Sequence, residues 1–344
     1  MPNQLVKPIH TSMLKASLPR RDRHPSGADY IAATRKLKKA RTICVVGHKN
    51  PDADAIGSIC ALLGAIEQLG NKGIGVIGQR EPIDPGLLGI PRAQGIRCVE
   101  KMPDCDLIVV VDCGGLGRTG TLQPEVIADP SKVILVDHHA SNRGFAGINL
   151  LDYQAESTTT VLHEWFRYLG VDIDDRMAHA LYAGLATDTG GFRWGRPQMH
   201  EFAQELVAHD LDIRRISSEL FDGGSVADLK MLGNVLADLR LLTAGKWRVL
   251  IAMANHDRIE GHPVGAVEKI AETVRGMSEA DLVVVPKEYQ PGDWAVSLRS
   301  DALDVSMLAR TLGGGGHVRS AGYSTFGTED HVIAEVLAAI AHVE

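Results

Sequence analysis

The chain has 344 residues, 44% hydrophobic and 23% charged, with a formal net charge of −7. That length suggests two domains, and the acidic balance argues against long duplex nucleic acid, whose binding leans on a broad basic surface. The five cysteines form no C-x-x-C pair, which argues against a disulfide framework or thiolate zinc site and fits a reducing cytoplasm; no apolar run reaches the ~18 residues of a membrane span.

Residues 1–25 hold Lys15, Arg20, Arg21 and Arg23 without an apolar signal-peptide core, and read as a mobile tail. A helix is expected from Asp29 to Lys39. The apolar run Ile43–Val46 is a strand ending in Gly47-His48, and the next loop carries Asp52 and Asp54. Ala55 to Leu69 reads as a helix, with Ile56, Ile59, Leu62, Leu63 and Ile66 at helical spacing. Gly70 and Gly73 end it before a strand at Ile74–Ile77. Two more apolar strands, Leu107–Val111 and Lys132–Val136, end in Asp112 and in Asp137-His138-His139. Strands alternating with helices predict an α/β fold, a doubly wound and mostly parallel sheet. Helices follow at Thr158–Leu169 and Arg176–Ala186, the second running into Asp188-Thr189-Gly190-Gly191-Phe192-Arg193, then at Gln198–His209 and Val226–Arg240.

Beyond residue 240 the style changes to a smaller α/β unit. Strands are expected at Trp247–Met253, Asp281–Pro286 and Asp293–Arg299, and helices at Val264–Gly276, Val305–Leu312 and Val332–His342. A glycine loop, Gly313 to His317, follows the middle helix. The boundaries expected are a tail over 1–25, a first domain over 26–213, a helical linker over 214–238 and a second domain over 239–344.

Three apolar strands deliver His or Asp at their C-terminal ends, the edge where open α/β sheets bind ligands. Convergence there would bring Asp52, Asp54, Asp112 and Asp188 close together. Two such charges ~4 Å apart repel by about 4 kcal/mol at an effective dielectric near 20. Lys49 alone does not balance four carboxylates, whereas divalent metal does. Carboxylate with imidazole and no thiolate suits Mn²⁺ or Mg²⁺. So many ligands point to a pair of ions, the arrangement that activates water for in-line attack at phosphorus.

These residues resemble the DHH phosphoesterase superfamily. Gly47-His48-Lys49-Asn50-Pro51-Asp52-Ala53-Asp54 is similar to its motif I, Asp112 to motif II, Asp137-His138-His139 to motif III and Asp188-Thr189-Gly190 to motif IV. Ser297-Leu298-Arg299-Ser300 and Gly313-Gly314-Gly315-Gly316-His317-Val318-Arg319-Ser320-Ala321-Gly322 resemble the type 1 DHH-associated domain, which points to the oligoribonuclease/pAp-phosphatase (nanoRNase) subfamily. Ala53 stands where motif I often has glycine, and Ser320 where alanine is common.

The resemblance implies roles. His48, Asp52 and Asp112 would hold one metal, and Asp54, Asp112, His138 and Asp188 the other, with Asp112 bridging two Mn²⁺ (or Mg²⁺). His139 would face the scissile phosphate as an acid or an orienting donor, and Asp137 would fix an imidazole tautomer. Arg299, Gly314, Gly315, Gly316 and His317 would contact the substrate phosphate, glycine letting backbone N–H groups approach it closely. Arg193 reads equally as a phosphate ligand or a surface residue. Ser157 and Thr158 read equally as pocket lining or as a helix cap. His163 and His200 are taken as structural.

The expectation is therefore a Mn²⁺-dependent, cytoplasmic phosphodiesterase or phosphatase, a homodimer by family analogy. Its partners would be short substrates: two- to five-nucleotide RNA, pApA, cyclic di-AMP or 3′-phosphoadenosine 5′-phosphate. The alternatives are an inorganic pyrophosphatase or exopolyphosphatase, and a catalytically silent nucleotide-binding regulator.

Overall fold

The computed structural model describes residues 23–222 and 224–342; the expected tail lies outside these except for its last three residues. Ser26 opens α1 (Gly27–Lys39) in a capping box with Asp29. After β1 (Thr42–Gly47), Asp52 caps α2 (Ala53–Gln68) by accepting from the N–H groups of Asp54 and Ala55. Then come β2 (Lys72–Ile77), β3 (Arg97–Cys98), β4 (Leu107–Val111), α3 (Gln123–Ala128), β5 (Val133–Asp137) and β6 (Ile148–Leu151). The six strands form one sheet in the order β3-β2-β1-β4-β5-β6, and every pairing is parallel. The chain thus also forms β3 and β6, two and four residues long, too short for periodicity to register.

From Ile43 onward β1 is buried, as are β4 and β5 throughout, because helices cover both faces of a parallel sheet. One face packs against α2, α4 (Thr158–Leu169) and α5 (Asp175–Asp188), with Trp165 and Phe166 among its largest buried side chains. The other face buries Val46, Val110 and Leu135 beneath Leu122 and Val126. The chain leaves β1 for β2 and β3, then returns to the far side of β1 as β4. This reversal opens a crevice outside the carboxyl ends of β1 and β4, where His48 and Asp112 lie.

Next in the chain are α6 (Gln198–Val207), α7 (Ile213–Ser217), a π-helical turn (Ser218–Asp222) and α8 (Val226–Ala237). They lead to a second sheet made from β7 (Arg240–Ala244), β8 (Trp247–Ile251), β9 (Leu282–Gln290), β10 (Asp293–Arg299), β11 (Gly315–His317) and β12 (Ser320–Phe326). Its order is β11-β12-β10-β9-β8-β7, antiparallel except for β8 with β9. Two separate apolar clusters cover its faces. One lies under α11 (Val305–Thr311) and α12 (Glu329–Ala341), the other under α8 and α10 (Val264–Thr273), with the short α9 (His256–Ile259) beside them.

Two sequence expectations are corrected here. The helix expected to reach Arg240 stops at Ala237, and Arg240 begins β7; its leucines pair with β8 and so follow strand rather than helix periodicity. The glycine run is not a free loop. Gly315–His317 is an edge strand against β12, and Gly314 passes so close that a Cβ there would meet the Gly322 carbonyl at 2.0 Å.

Candidate metal centre

The ends of β1, β4 and β5 and the end of α5 bring the predicted ligands together. His48 Nε2 lies 3.4 Å from Asp112 Oδ2 and 3.5 Å from Asp52 Oδ2. His138 Nε2 lies 3.7 Å from Asp112 Oδ1, 3.8 Å from Asp54 Oδ2 and 3.0 Å from Asp188 Oδ2. Asp112 therefore offers one oxygen to each side of the cluster. Its φ of 55° is left-handed, an uncommon conformation that a short polar side chain tolerates and that recurs at functional sites. Its N–H still donates to Val136 at the end of the ladder.

Neighbours fix these side chains. His138 Nδ1 lies 3.2 Å from the Ala155 carbonyl, which as a donor leaves Nε2 with its lone pair inward. That Nε2 is buried and, apart from its 3.0 Å approach to the Asp188 carboxylate, has no hydrogen-bond partner. The two oxygens of Asp54 accept from the N–H groups of Thr158 and Thr159 at 2.6 and 3.1 Å, at the positive end of α4. Gly184 makes room for this carboxylate, because a Cβ there would meet Asp54 at 2.5 Å. Ser157 caps α4 by accepting from Thr160 N–H, and Thr158 Oγ1 donates to Asp112 at 3.0 Å. Asp137 accepts from His139 Nδ1 at 2.8 Å and from Asn142 Nδ2 at 2.6 Å. Arg118 reaches the other ring nitrogen of His48, with Nη2 2.7 Å from Nδ1.

Protonation follows from the crowding. Burial and Arg118 oppose a charged His48, yet Asp52 and Asp112 outweigh them and hold it up to about 9. Burial resists charge on His138 too, but Asp188, Asp54 and Asp112 raise it well above the ordinary range. Burial, then Asp112 and Asp188, push Asp54 well up. Burial raises Asp188 to about 6 against the pull of His138. In the absence of metal the cluster holds protons where cations would sit. Groups such as His48–Asp52–Asp112 and Asp54–Asp112–His138 present ligand atoms within 4.8 Å of one another. The donor set, the orphaned His138 Nε2 and the repulsion among buried carboxylates all fit divalent metal.

The second sheet closes over this centre. The His317 ring stacks on His139 with centroids 4.4 Å apart and lies 4.5 Å from the ring of His138. Gly316 N–H donates to Ser141 Oγ at 3.0 Å. Burial, with His139 and His138 adjacent, drives His317 well below the usual imidazole range, so it is neutral.

Residues 42–185 match the N-terminal domain of the DHH family, and residues 250–343 match the DHHA1 domain. The chain is a DHH-family protein. It is 27% identical over 306 residues to a bifunctional oligoribonuclease and PAP phosphatase, NrnA, of Thermus thermophilus, covering 87% of this chain and 89% of that one. It is 26% identical to the cyclic-di-AMP phosphodiesterase GdpP of Geobacillus thermodenitrificans, across 83% of this chain but 45% of that longer protein. The crystal structure of an exopolyphosphatase-related protein from Bacteroides fragilis shares its fold, with a TM-score of 0.76 and 22% identity over 91% of this chain and 96% of that one.

Within this DHH protein the six metal-ligand candidates, Asp137, His139 and His317 all meet at one place. Arg299 points instead to Glu272, at 3.0 Å, and Arg193 folds back so that Nε donates to the Gly190 carbonyl at 2.8 Å. His163 stacks on Phe202 and meets Glu205 at 2.9 Å, away from the centre. Sequence reasoning missed Arg118, Ser141 and Asn142. Their partners are 70, 175 and 5 residues away, and no local pattern marks them.

Proposed function

We propose that this DHH protein is a metal-dependent phosphodiesterase and phosphatase of short nucleotides: RNA of two to five nucleotides, pApA-type dinucleotides, cyclic di-AMP and 3′-phosphoadenosine 5′-phosphate. The observation that carries the reading is the contact of His317 with His138 and His139, where a DHHA1 glycine strand meets a carboxylate–imidazole cluster. The Thermus relative, named for oligoribonuclease and PAP phosphatase activity, supports it over most of both chains.

Under this reading His48, Asp52 and Asp112 hold one Mn²⁺ and Asp54, Asp112, His138 and Asp188 the second, with Mg²⁺ as substitute. Bound ions supply an activated water and offset the charge that develops on phosphoryl oxygens. The chain's own residues do the rest. Asp137 holds the Nδ1 proton of His139, so Nε2 is the atom turned to the scissile phosphate, to orient it or to protonate the leaving oxygen. Neutral His317 and the Gly314–Gly316 segment form the opposite wall, where residues without a Cβ let the substrate phosphate come close to the backbone. Arg299 supplies positive charge behind that wall. Domains over 26–213 and 239–344, joined by the linker at 214–238, let the cleft open and close. The reading carries with it a cytoplasmic homodimer, which light scattering checks.

The test is a Mn²⁺ assay against pApA, cyclic di-AMP, 3′-phosphoadenosine 5′-phosphate, a five-nucleotide RNA and pyrophosphate. Turnover of at least one nucleotide above pyrophosphate is expected. Pyrophosphate turnover alone would replace the reading with a pyrophosphatase, and tight nucleotide binding with no turnover would replace it with a regulator.

A further inference from the structure

The turn that follows α10 reaches across to the segment that follows Asp188. Arg275 Cζ lies 3.9 Å from the centroid of the Trp194 ring, and Arg193 Cζ lies 4.7 Å from it. Trp194 is itself anchored, its indole N–H donating to the Asp188 carbonyl at 3.0 Å. Near the end of α10, Glu272 reaches both Arg275 at 3.8 Å and Arg299, on β10, at 3.0 Å. Burial, with Arg299 and Arg193 nearby, lowers Arg275 below the ordinary arginine range against the pull of Glu272 and Asp301. Asp301 is exposed and already meets Arg319 at 3.5 Å.

The wall beside the metal cluster thus holds three guanidinium groups, two of which share one carboxylate. Such repulsion is relieved when an anion takes the place between them. A guanidinium fork matches phosphate geometry, and the Trp194 ring, against which Arg275 and Arg193 both lie, holds the two guanidiniums in place. The tie from Trp194 to the Asp188 backbone puts this group adjacent to the proposed metal centre but outside it. We propose that Arg275, Arg193 and Trp194 form a subsite for a second phosphate, the terminal phosphate of a 5′-phosphorylated dinucleotide whose other phosphate lies at the metals. The inference rests on the nucleotide reading above and deepens it: the preferred substrate carries a phosphate beyond the one attacked.

The test compares kcat/KM in Mn²⁺ for pApA and for ApA, which lacks the terminal phosphate, in the wild-type protein, Arg275→Gln and Arg275→Lys. The wild type is expected to favour pApA by about tenfold or more, the scale of a charge-assisted contact. Arg275→Gln is expected to bring that preference within about twofold, chiefly through KM, and Arg275→Lys to keep part of it. An interdomain strut with no ligand would weaken both substrates equally, and a preference unchanged in Arg275→Gln overturns the proposal. Hydrolysis of bis(p-nitrophenyl) phosphate runs alongside. If the wild type cleaves that ester but neither dinucleotide, the nucleotide reading falls and takes this subsite with it. If pApA is cleaved but not preferred, the subsite alone falls.

Discussion

Metal binding at this cluster must displace protons, and the amount can be worked out. His48 titrates at about 9 without metal, held there by Asp52 and Asp112, and an imidazole ligates only when neutral. At pH 7 its proton lies about two units below that value, so removing it costs about 2.7 kcal/mol, roughly a hundredfold in apparent affinity. The apparent Mn²⁺ dissociation constant should therefore fall by about tenfold per unit from pH 7 towards pH 9, and level off above it. His138 is raised as well, so the slope is at least that of one proton. The same shift bears on folding. A raised histidine pKa contributes stability that is full below its unfolded value of about 6.5 and is lost as pH rises through about 9. The metal-free protein should therefore lose this contribution between those values, and metal should restore it. Titration calorimetry at several pH values, in two buffers of different ionisation enthalpy, counts the protons released. Flat affinity from pH 7 to 8.5 with no proton release would refute this account of the cluster.

Four substitutions probe separate parts of the site. Asp112→Ala removes the carboxylate that faces both His48 and His138; every metal-dependent activity should fall by about a thousandfold or more, and retained turnover would remove the two-ion assignment. Asn142→Ala frees Asp137 from its 2.6 Å bond and should cost about ten- to hundredfold in kcat, read by steady-state kinetics. Gly314→Ala drives a methyl into the Gly322 carbonyl; thermal melting should show a loss of about 1–3 kcal/mol, with weaker nucleotide binding. Arg299→Ala removes positive charge that pairs with Glu272 behind the wall; it should raise KM for nucleotides by about two- to fivefold while leaving Mn²⁺ affinity, measured by calorimetry, unchanged.

Much of the first sheet is legible because β1, β4 and β5 are buried on both faces. Ile43–Val46, Leu107–Val111 and Val133–Val136 are apolar runs that stop abruptly at His48, Asp112 and Asp137. Parallel topology then forces those ends to one edge. The second sheet is harder to read. The helix expected to run to Arg240 gives way there to β7, which β8 pairs with, and Gly315–His317 lies against β12 because Gly314 and Gly316 carry no Cβ to strike Gly322 and Ala321. Contacts between the two halves, such as Ser141 with Gly316 and Arg275 with Trp194, join residues whose sequence neighbourhoods carry no shared signal. They follow from tertiary packing, which local pattern does not encode.

The hold of α4 on Asp54 makes the two halves of the centre unequal. Both oxygens of that carboxylate already receive backbone N–H groups, from Thr158 and Thr159, so less of its negative charge is free to attract a cation. Asp52 also receives two N–H groups, but through Oδ1 alone, and its Oδ2 still faces His48. Under the two-ion reading the first equivalent of Mn²⁺ fills the His48 side, and the second fills only at higher concentration. Activity would then track the occupancy of the weaker side, and one equivalent of Mn²⁺ would leave a loaded but slow enzyme.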